Sequence, residues 1–179
     1  MTANEIVSLL KKREVTPAEL LDALRERISE VDNKVNALPT LCWERAYKDA
    51  DRMSNLSLDE RGILAGLPVA IKDLNPVSGV RSTWGSPIYR DFVRTRSDCL
   101  VENLEKEGGI VYAKTNTPEF GAGANTFNEV FGATLNPWDT TKSCAGSSGG
   151  SAVALATGQA WLASGSDLGG SLRNPASFC

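Results

Sequence analysis

Two glycine-rich stretches near the end of the sequence present serines that could act as nucleophiles. The stretch "SCAGSSGGSAVALATG" places Ser147 and Ser148 in a turn in front of an apolar, helix-like run. The stretch "SGSDLGGSLRNPAS" places Ser171 directly behind two glycines. A serine hydroxyl is a weak nucleophile until a base accepts its proton. These serines therefore predict a catalytic site only if the chain also supplies a base.

The base must be something other than histidine, because the sequence contains none. Its absence excludes a Ser-His-Asp triad, and also a Cys-His pair built on Cys144. A lysine can serve when burial or neighbouring positive charge lowers its pKa enough to leave it uncharged near neutral pH. Lys72 follows the apolar run "LPVAI" and Lys114 follows "IVYA", which predicts both at the carboxyl ends of buried strands. The residues alone do not choose between these two lysines.

Two further lysines are weaker candidates for the base. Lys142 has polar neighbours in "TTKSC", so its ammonium is expected to stay solvated and charged. Lys11 has the S-x-x-K spacing of another class of serine hydrolases, but it lies on an exposed-looking helix end without the other motifs of that class. A lysine at a strand end can also extend its ammonium to solvent. The interest in Lys72 and Lys114 therefore depends on the serine stretches.

The segment "DLGGS" also predicts an anion site made of backbone groups. Consecutive small residues expose N–H groups that can hold a developing oxyanion, here those of Leu168, Gly169, Gly170 and Ser171. The alternative is a tight glycine turn that binds nothing. A phosphate cradle is disfavoured, because neither G-x-x-x-x-G-K-[ST] nor G-x-G-x-x-G after a strand is present.

Composition favours a globular protein that binds neither nucleic acid nor membranes. Hydrophobic residues make up 41% of the 179 residues and charged residues 23%, and the net charge of −3 gives no basic surface. No apolar run is long enough to cross a membrane, and the first residues do not have the pattern of a secretory signal. The four cysteines are scattered without a C-x-x-C pair. They predict free thiols in a cytoplasmic protein and no structural zinc site.

The first third of the chain is predicted to be a helical segment, residues 1–60, that covers the rest. Capping boxes at Thr2 and Thr16 each precede an amphipathic run, and a further polar-faced run begins at Trp43. The predicted helices span residues 3–13, 17–31 and 43–53.

The remaining residues alternate between strand and helix patterns. Apolar runs predict strands at "GLPVAIKDL", "GIVYAKTN" and "AWLASGS", the last over residues 160–166. Helices are predicted between Ser97, as N-cap, and Gly108, and over residues 149–158. This order predicts an α/β fold with parallel crossovers. The helix of about 15 Å and the returning strand of about 20 Å are expected to bring Ser171 close to Ser147.

Four of these stretches together resemble the amidase signature family. They are "GLPVAIKDL", "AKTNTPEFG", "NPWDTTKSCAGSSGGSAVALATG" and "GSDLGGSLRNPASFC", and they occur in the order and spacing of the family. The resemblance implies a mixed sheet flanked by helices. It also implies that residues 61–179 are the N-terminal part of the family's core, within one truncated domain.

The resemblance implies hydrolysis of carboxylic amides through an acyl-serine intermediate. By motif position Ser171 is the nucleophile, Ser147 is the bridging serine on a cis peptide bond, and Lys72 is the base. Lys114 then has a supporting or structural role. The proton would pass from Ser171 through Ser147 to uncharged Lys72 and return to the leaving amine. No metal ion or organic cofactor is implied.

Further roles follow from the same resemblance. Ser148 and Asp167 would hold the network in place, and the N–H groups from Leu168 to Ser171 would form the oxyanion hole. The chain departs from the family at Ala145, where a glycine is usual, and at Cys144 before it. If residue 145 needs a positive φ, Ala145 is strained there by about 1 kcal/mol or more.

The resemblance also bears on substrate and partners. Leu168 stands where family members that act on misacylated tRNA tend to have threonine, which favours an amidase for small aryl, alkyl or acyl amides. Family sequences continue beyond "PASFC", so a catalytically incomplete fragment is the alternative prediction. The implied partners are a small-molecule amide substrate and either the C-terminal half of the family's fold or a second copy of the chain.

Overall fold

The structure is a computed structural model that describes residues 1–179. It confirms the predicted α/β class. The helices are α1 (Ala3–Lys12), α2 (Pro17–Val35), α3 (Trp43–Asn55), α4 (Cys99–Lys106), α5 (Gly149–Ala156) and α6 (Arg173–Phe178). The strands are β1 (Thr40–Leu41), β2 (Pro68–Lys72), β3 (Ile110–Thr115), β4 (Phe127–Asn128) and β5 (Gly132–Ala133). None of the helices combines the length and the apolar character needed to cross a membrane.

The N-terminal helices begin where their capping boxes predict. The side chains of Thr2 and Thr16 each accept a hydrogen bond from a backbone N–H three residues later, and the glutamate at that position returns one. The second helix is longer than predicted, because no stop occurs before Asn36, which adopts a left-handed conformation at φ 53°. The third helix begins at Trp43 as predicted and extends two residues further than expected, to Asn55.

The main sheet is mixed and has the strand order β1-β3-β2. Strands β2 and β3 are parallel and are connected through α4, as the alternating pattern predicts, whereas β1 pairs with β3 in the antiparallel direction. The parallel pair contains a bulge: Val69 pairs with Val111, but Ala70 pairs with Ala113. Tyr112 is therefore an extra residue, and the alternation of side chains along β3 is reversed after it.

Helices cover both faces of this sheet. The largest hydrophobic cluster, of 17 buried residues, joins Leu21 of α2, Ala50 of α3, Tyr112 of β3 and Val153 of α5. A second cluster packs Val101 of α4 and neighbouring valines against the other face of β2 and β3. The N-terminal helical segment thus shares one core with the strands that carry the two candidate lysines.

Two local predictions are wrong. Residues 160–166 form no strand but a single β-bridge between Ala70 and Ala163. The ladder stops there because the next N–H group, that of Lys72, donates to the side chain of Ser164 (2.8 Å) instead of to a carbonyl oxygen. The N-cap of α4 is Asp98, because the hydroxyl of Ser97 instead accepts the N–H of Ser78 at 2.9 Å.

Gly108 closes the turn between α4 and β3 and makes a testable contact. Its φ is +85°, and a Cβ added there would lie 1.8 Å from the carbonyl oxygen of Arg61. We expect Gly108→Ala to lower the free energy of unfolding by on the order of 3 kcal/mol, from overpacking and the left-handed backbone together. Gly79→Ala is the matched control, since its φ is +73° but no atom lies within 4 Å.

The control should lose only the backbone contribution, about 1–2 kcal/mol, in urea unfolding of the purified chain. Equal losses in the two variants would show that the contact with Arg61 does not limit this turn.

Candidate active site

Lys72 ends strand β2 with its amino group enclosed by hydroxyl groups. The residue is 0% exposed. Its Nζ donates to Ser147 Oγ at 2.8 Å, to Ser148 Oγ at 2.8 Å and to Ser166 Oγ at 3.0 Å. No carboxylate pairs with it. The structure therefore brings together Lys72, Ser147 and Ser148, and adds a third hydroxyl.

This environment changes the basicity of Lys72. Burial lowers the pKa of Lys72 from 10.5 to about 8, and the nearby charge of Asp167 opposes part of that change. Removing water disfavours the ammonium more than the amine, which is why the pKa falls. A fraction of Lys72 is thus uncharged near neutral pH and able to accept a proton.

Lys114 lies on the opposite face of the sheet. After the bulge, Ile71 pairs with Lys114 and Lys72 pairs with Thr115, so the two lysines project in opposite directions. Lys114 Nζ forms a fully buried ion pair with Asp73 Oδ1 at 2.6 Å and donates to a second side chain on that face, Ser82 Oγ, at 3.0 Å. Its ammonium is paired and separated from the serines by the sheet, as expected of a structural residue.

The turn that carries Ser147 is held by unusual backbone geometry. Ala145 has φ +59°, the positive value that the glycine usual in the family would adopt without strain, and the Gly146–Ser147 peptide bond is cis. The carbonyl of Ala145 accepts the hydroxyl of Thr126 at 2.9 Å. Ala145 therefore stores about 1–2 kcal/mol of backbone strain.

Cys144 lies beneath this turn and is not a nucleophile. It is 0% exposed, and its Sγ donates to the carbonyl of Thr134 at 3.3 Å. Burial raises the pKa of the Cys144 thiol to about 12. The thiol therefore stays protonated, since reactivity requires the thiolate.

Glycines let α5 approach the sheet directly after the serines. A Cβ on Gly149 would lie 2.2 Å from Thr126 Oγ1, and one on Gly150 would lie 2.4 Å from the backbone nitrogen of Asn116. Only residues without side chains fit at these two positions. The approach places the start of the helix, and Ser148 with it, against the end of β3.

The two serine turns touch each other, as the element lengths predict. The N–H of Ser148 donates to the carbonyl oxygen of Ser171 at 3.1 Å. The Ser171 side chain is half-buried, and its hydroxyl makes no hydrogen bond within the chain. The backbones of Ser147 and Ser171 are thus neighbours, while their hydroxyls are not hydrogen-bonded to each other.

Asp167 organises the turn that ends in Ser171. Its carboxylate accepts the N–H groups of Gly170 at 2.7 Å and Leu172 at 3.1 Å, and it forms an ion pair with Arg173 at 3.0 Å. The bond from Arg173, followed by the backbone donors, holds the pKa of Asp167 well below its usual range. Asp167 is therefore ionised in its supporting position.

One predicted oxyanion donor does not fit this geometry. The N–H of Gly170 is taken by Asp167 and is unavailable for a ligand. The N–H groups of Leu168, Gly169 and Ser171 make no hydrogen bond within the chain. Three of the four predicted donors are thus free, and the reason for the exception is the carboxylate that shapes the turn.

A cleft opens beside Ser171. It has a volume of about 260 Å³, and Leu168 and Asn174 line it together with small residues of the neighbouring loops. A second cavity of about 370 Å³ shares Gly123 and Ala124 with it. No group of side chains in the structure could hold a metal ion.

Sequence reasoning missed two serines at this site. Ser166 contacts the amino group of Lys72, and Ser164 accepts the backbone N–H of the same residue. The signal was present, since both serines directly precede "DLGGS". It was not usable, because an extended segment does not announce which of its side chains meets a residue more than ninety positions earlier.

Comparison with known proteins agrees with this geometry. A sequence model of the family named Amidase matches residues 19–179. The chain is 45% identical over 179 residues to a glutamyl-tRNA(Gln) amidotransferase subunit from Halothermothrix orenii. Among solved structures it is similar to a bacterial aryl acylamidase of the amidase signature family, with a TM-score of 0.91, 31% identity and 98% of this chain covered.

A 6-aminohexanoate cyclic dimer hydrolase complexed with substrate is also similar, with a TM-score of 0.91, 31% identity and 100% of this chain covered. All three proteins are longer than this chain. The chain spans 36% of the amidotransferase subunit, 37% of the acylamidase and 36% of the cyclic dimer hydrolase.

The structural role of Lys114 makes a prediction about stability. We expect Lys114→Met to lower the free energy of unfolding by about 3–5 kcal/mol, because it leaves the buried carboxylate of Asp73 without its counter-ion. Replacing both partners, Lys114→Met with Asp73→Leu, should recover part of that loss. Recovery should be incomplete, since Asp73 also accepts the N–H and hydroxyl of Thr83.

Urea unfolding of the two single variants and the double variant measures these differences. A loss below about 1 kcal/mol for Lys114→Met would mean that the pair is not the buried contact described above.

Proposed function

The chain belongs to the amidase signature family, and we propose that Lys72 and the two serine turns form the reaction centre of an enzyme that hydrolyses carboxylic amides. The observation that carries the proposal is a buried lysine with a pKa near 8 whose Nζ lies 2.8 Å from the hydroxyl oxygen of Ser147. Without histidine in the chain, this lysine is the base best placed to activate a serine.

In the first step, Ser171 Oγ attacks the carbonyl carbon of the amide. Ser171 gives its proton to Ser147, and Ser147 gives its own proton to uncharged Lys72. The backbone bond between Ser148 and Ser171 supports this path, because it keeps the two turns together. Rotation of the unbonded Ser171 hydroxyl would complete the relay when substrate is present.

The carbonyl oxygen becomes negatively charged in this step and needs hydrogen-bond donors. We assign the N–H groups of Leu168, Gly169 and Ser171, which have no partner within the chain. Asp167 fixes the turn that presents them. Donors held in place before the reaction stabilise the developing charge without reorganisation.

The second step breaks the C–N bond. The Lys72 ammonium returns its proton through Ser147 to the leaving nitrogen, and the amine departs while the acyl group stays on Ser171. A water molecule then attacks the acyl carbon, gives its proton along the same path, and releases the carboxylic acid. Ser171 regains its proton, so the site returns to its starting state.

We propose small aryl, alkyl or acyl amides as substrates, with the cleft of about 260 Å³ holding the acyl end. The exposed side chain of Leu168 gives one wall of that cleft an apolar surface. The free thiols of all four cysteines suit the predicted cytoplasmic location. No nucleic acid or membrane partner is needed for this reaction.

A second candidate is a chain that complements the rest of an amidase and has no activity alone. The coverage of 36% of the relatives' length favours it. The partner would be the remaining part of the family's fold, or a second copy of this chain. The relatives named as an amidotransferase subunit extend this candidate to an ammonia-supplying subunit that works with partner chains.

Labelling with a fluorophosphonate separates the two candidates. We expect the active site to gain a single adduct on Ser171, found by intact mass spectrometry and peptide mapping. Ser171→Ala should gain none, and Lys72→Ala should react about 10²–10⁴-fold more slowly because the base is lost. Ser177→Ala is the matched control, since its exposed hydroxyl donates only to the carbonyl of Asn174.

No adduct on a folded wild-type chain would favour the complementing role. An adduct that forms at the wild-type rate in Lys72→Ala would contradict the assignment of the base.

The rate of labelling should also depend on pH. Lys72 accepts a proton only when it is uncharged, and burial places its pKa at about 8. The rate is therefore expected to be low in acid, to rise through a midpoint near that value, and to level off above it. A constant rate from about pH 6 to about pH 9 would argue against a lysine base.

A further inference from the structure

Ser166 makes a contact with the reaction centre that none of the assigned roles uses. Its Oγ lies 3.0 Å from Lys72 Nζ, close to the 2.8 Å separations of Ser147 and Ser148. The residue stands at the exposed rim of the site, whereas Ser147 is 2% exposed and Ser148 is 1% exposed. Three hydroxyls therefore surround one nitrogen, but from different environments.

The number of protons on Lys72 decides what these hydroxyls can do. A charged ammonium has three N–H donors and can donate to all three oxygens. An uncharged amine has two N–H donors and one lone pair. In the state that acts as a base, one hydroxyl must donate to Lys72 while the other two accept from it. Which hydroxyl donates decides whether the lone pair faces the proton it has to receive.

The partners of the three hydroxyls favour one arrangement. Ser148 gives its proton to the carbonyl oxygen of Ser166 at 3.3 Å, so it can only accept from Lys72. Ser166 is exposed and can give its proton to water. The hydroxyl of Ser147 is buried and has no hydrogen-bond partner within the chain except Lys72. Its proton therefore has the lone pair of Lys72 as its acceptor.

We propose that Ser166 is a positioning residue, which accepts one N–H of Lys72 and, together with Ser148, turns the lysine lone pair towards Ser147. The inference rests on the proposed function, because it gives a direction to the base of that reaction. It assigns Ser166 no contact with the reacting atoms. Removing its hydroxyl frees the amine to rotate, so that proton transfer from Ser147 becomes slower.

The same contact affects the charge of Lys72. An acceptor is bound more strongly by an ammonium than by an amine, so the hydroxyl of Ser166 favours the charged form. Asp167 is the one charged group that acts on Lys72 from the neighbouring turn. The Asp73–Lys114 ion pair lies across the sheet on the opposite face. Loss of the Ser166 acceptor should therefore lower the pKa of Lys72.

Ser166→Thr and Ser166→Val test this with side chains of nearly equal shape. Threonine keeps the hydroxyl, whereas valine replaces it with a methyl group that also keeps water out of its place. The titration of Lys72 is followed in the 179-residue chain by NMR of lysine labelled with ¹³C at Cε. The Lys72 signal is identified by its absence from the Lys72→Met variant. Thermal unfolding checks that both variants fold.

We expect the pKa of Lys72 to be about one unit lower in Ser166→Val than in Ser166→Thr, the size of one lost charge-assisted hydrogen bond. Ser164→Ala is the matched control, because that serine contacts only the backbone N–H of Lys72 and should leave the pKa unchanged. If Ser166→Val does not fold, Ser166→Ala against the wild type gives the same comparison.

Two results would overturn the inference. Equal pKa values in the two variants would mean that Ser166 does not bind the amino group. A higher pKa in Ser166→Val would mean that Ser166 donates to the amine and competes with Ser147. The titration does not require Ser171 to react, so it remains informative if fluorophosphonate labelling fails. If labelling succeeds, its plateau rate should fall about tenfold in Ser166→Val and stay near wild type in Ser166→Thr.

Discussion

The site depends on the burial of one lysine without a counter-ion. Lys72 has lost its water, and hydroxyl oxygens replace part of it, so the charged form is disfavoured and its pKa falls to about 8. Lys114 has also lost its water, but the carboxylate of Asp73 compensates for its charge. Two lysines at the ends of neighbouring strands thus acquire different chemistry from the polar groups that face them. A carboxylate beside Lys72 would have kept it charged and useless as a base.

The rest of the fold keeps that environment in place. The bulge at Tyr112 sends Lys114 to one face of the sheet and leaves Lys72 facing the serines on the other. Gly149 and Gly150 let the start of α5 approach the sheet within distances that no side chain allows. The backbone bond between Ser148 and Ser171 then joins the two serine turns. Strained geometry at Ala145 is tolerated because Thr126 and the buried Cys144 hold the turn from below.

The turn at Asp167 divides its backbone groups between structure and ligand. One carboxylate accepts the N–H groups of Gly170 and Leu172, which fixes the loop, and the N–H groups of Leu168, Gly169 and Ser171 stay free. Similarity to an aryl acylamidase and to an amidotransferase subunit shows that this arrangement occurs in proteins with different partners. These proteins are nearly three times as long, so the residues that distinguish their substrates extend beyond the segment compared.

Local patterns in the sequence determined the helices, the parallel strand pair, the α/β class and the stretches that carry the serines. Capping boxes, apolar runs and glycine turns act over a few residues, so they are visible in one dimension. The choice between Lys72 and Lys114 was not visible, because a single bulge reversed the side-chain alternation of β3. The same limit hid Ser166 from the sequence and made residues 160–166 look like a strand. Only the tertiary structure decided which hydroxyls surround the lysine and which N–H of the turn is taken, because those contacts join segments far apart in the chain.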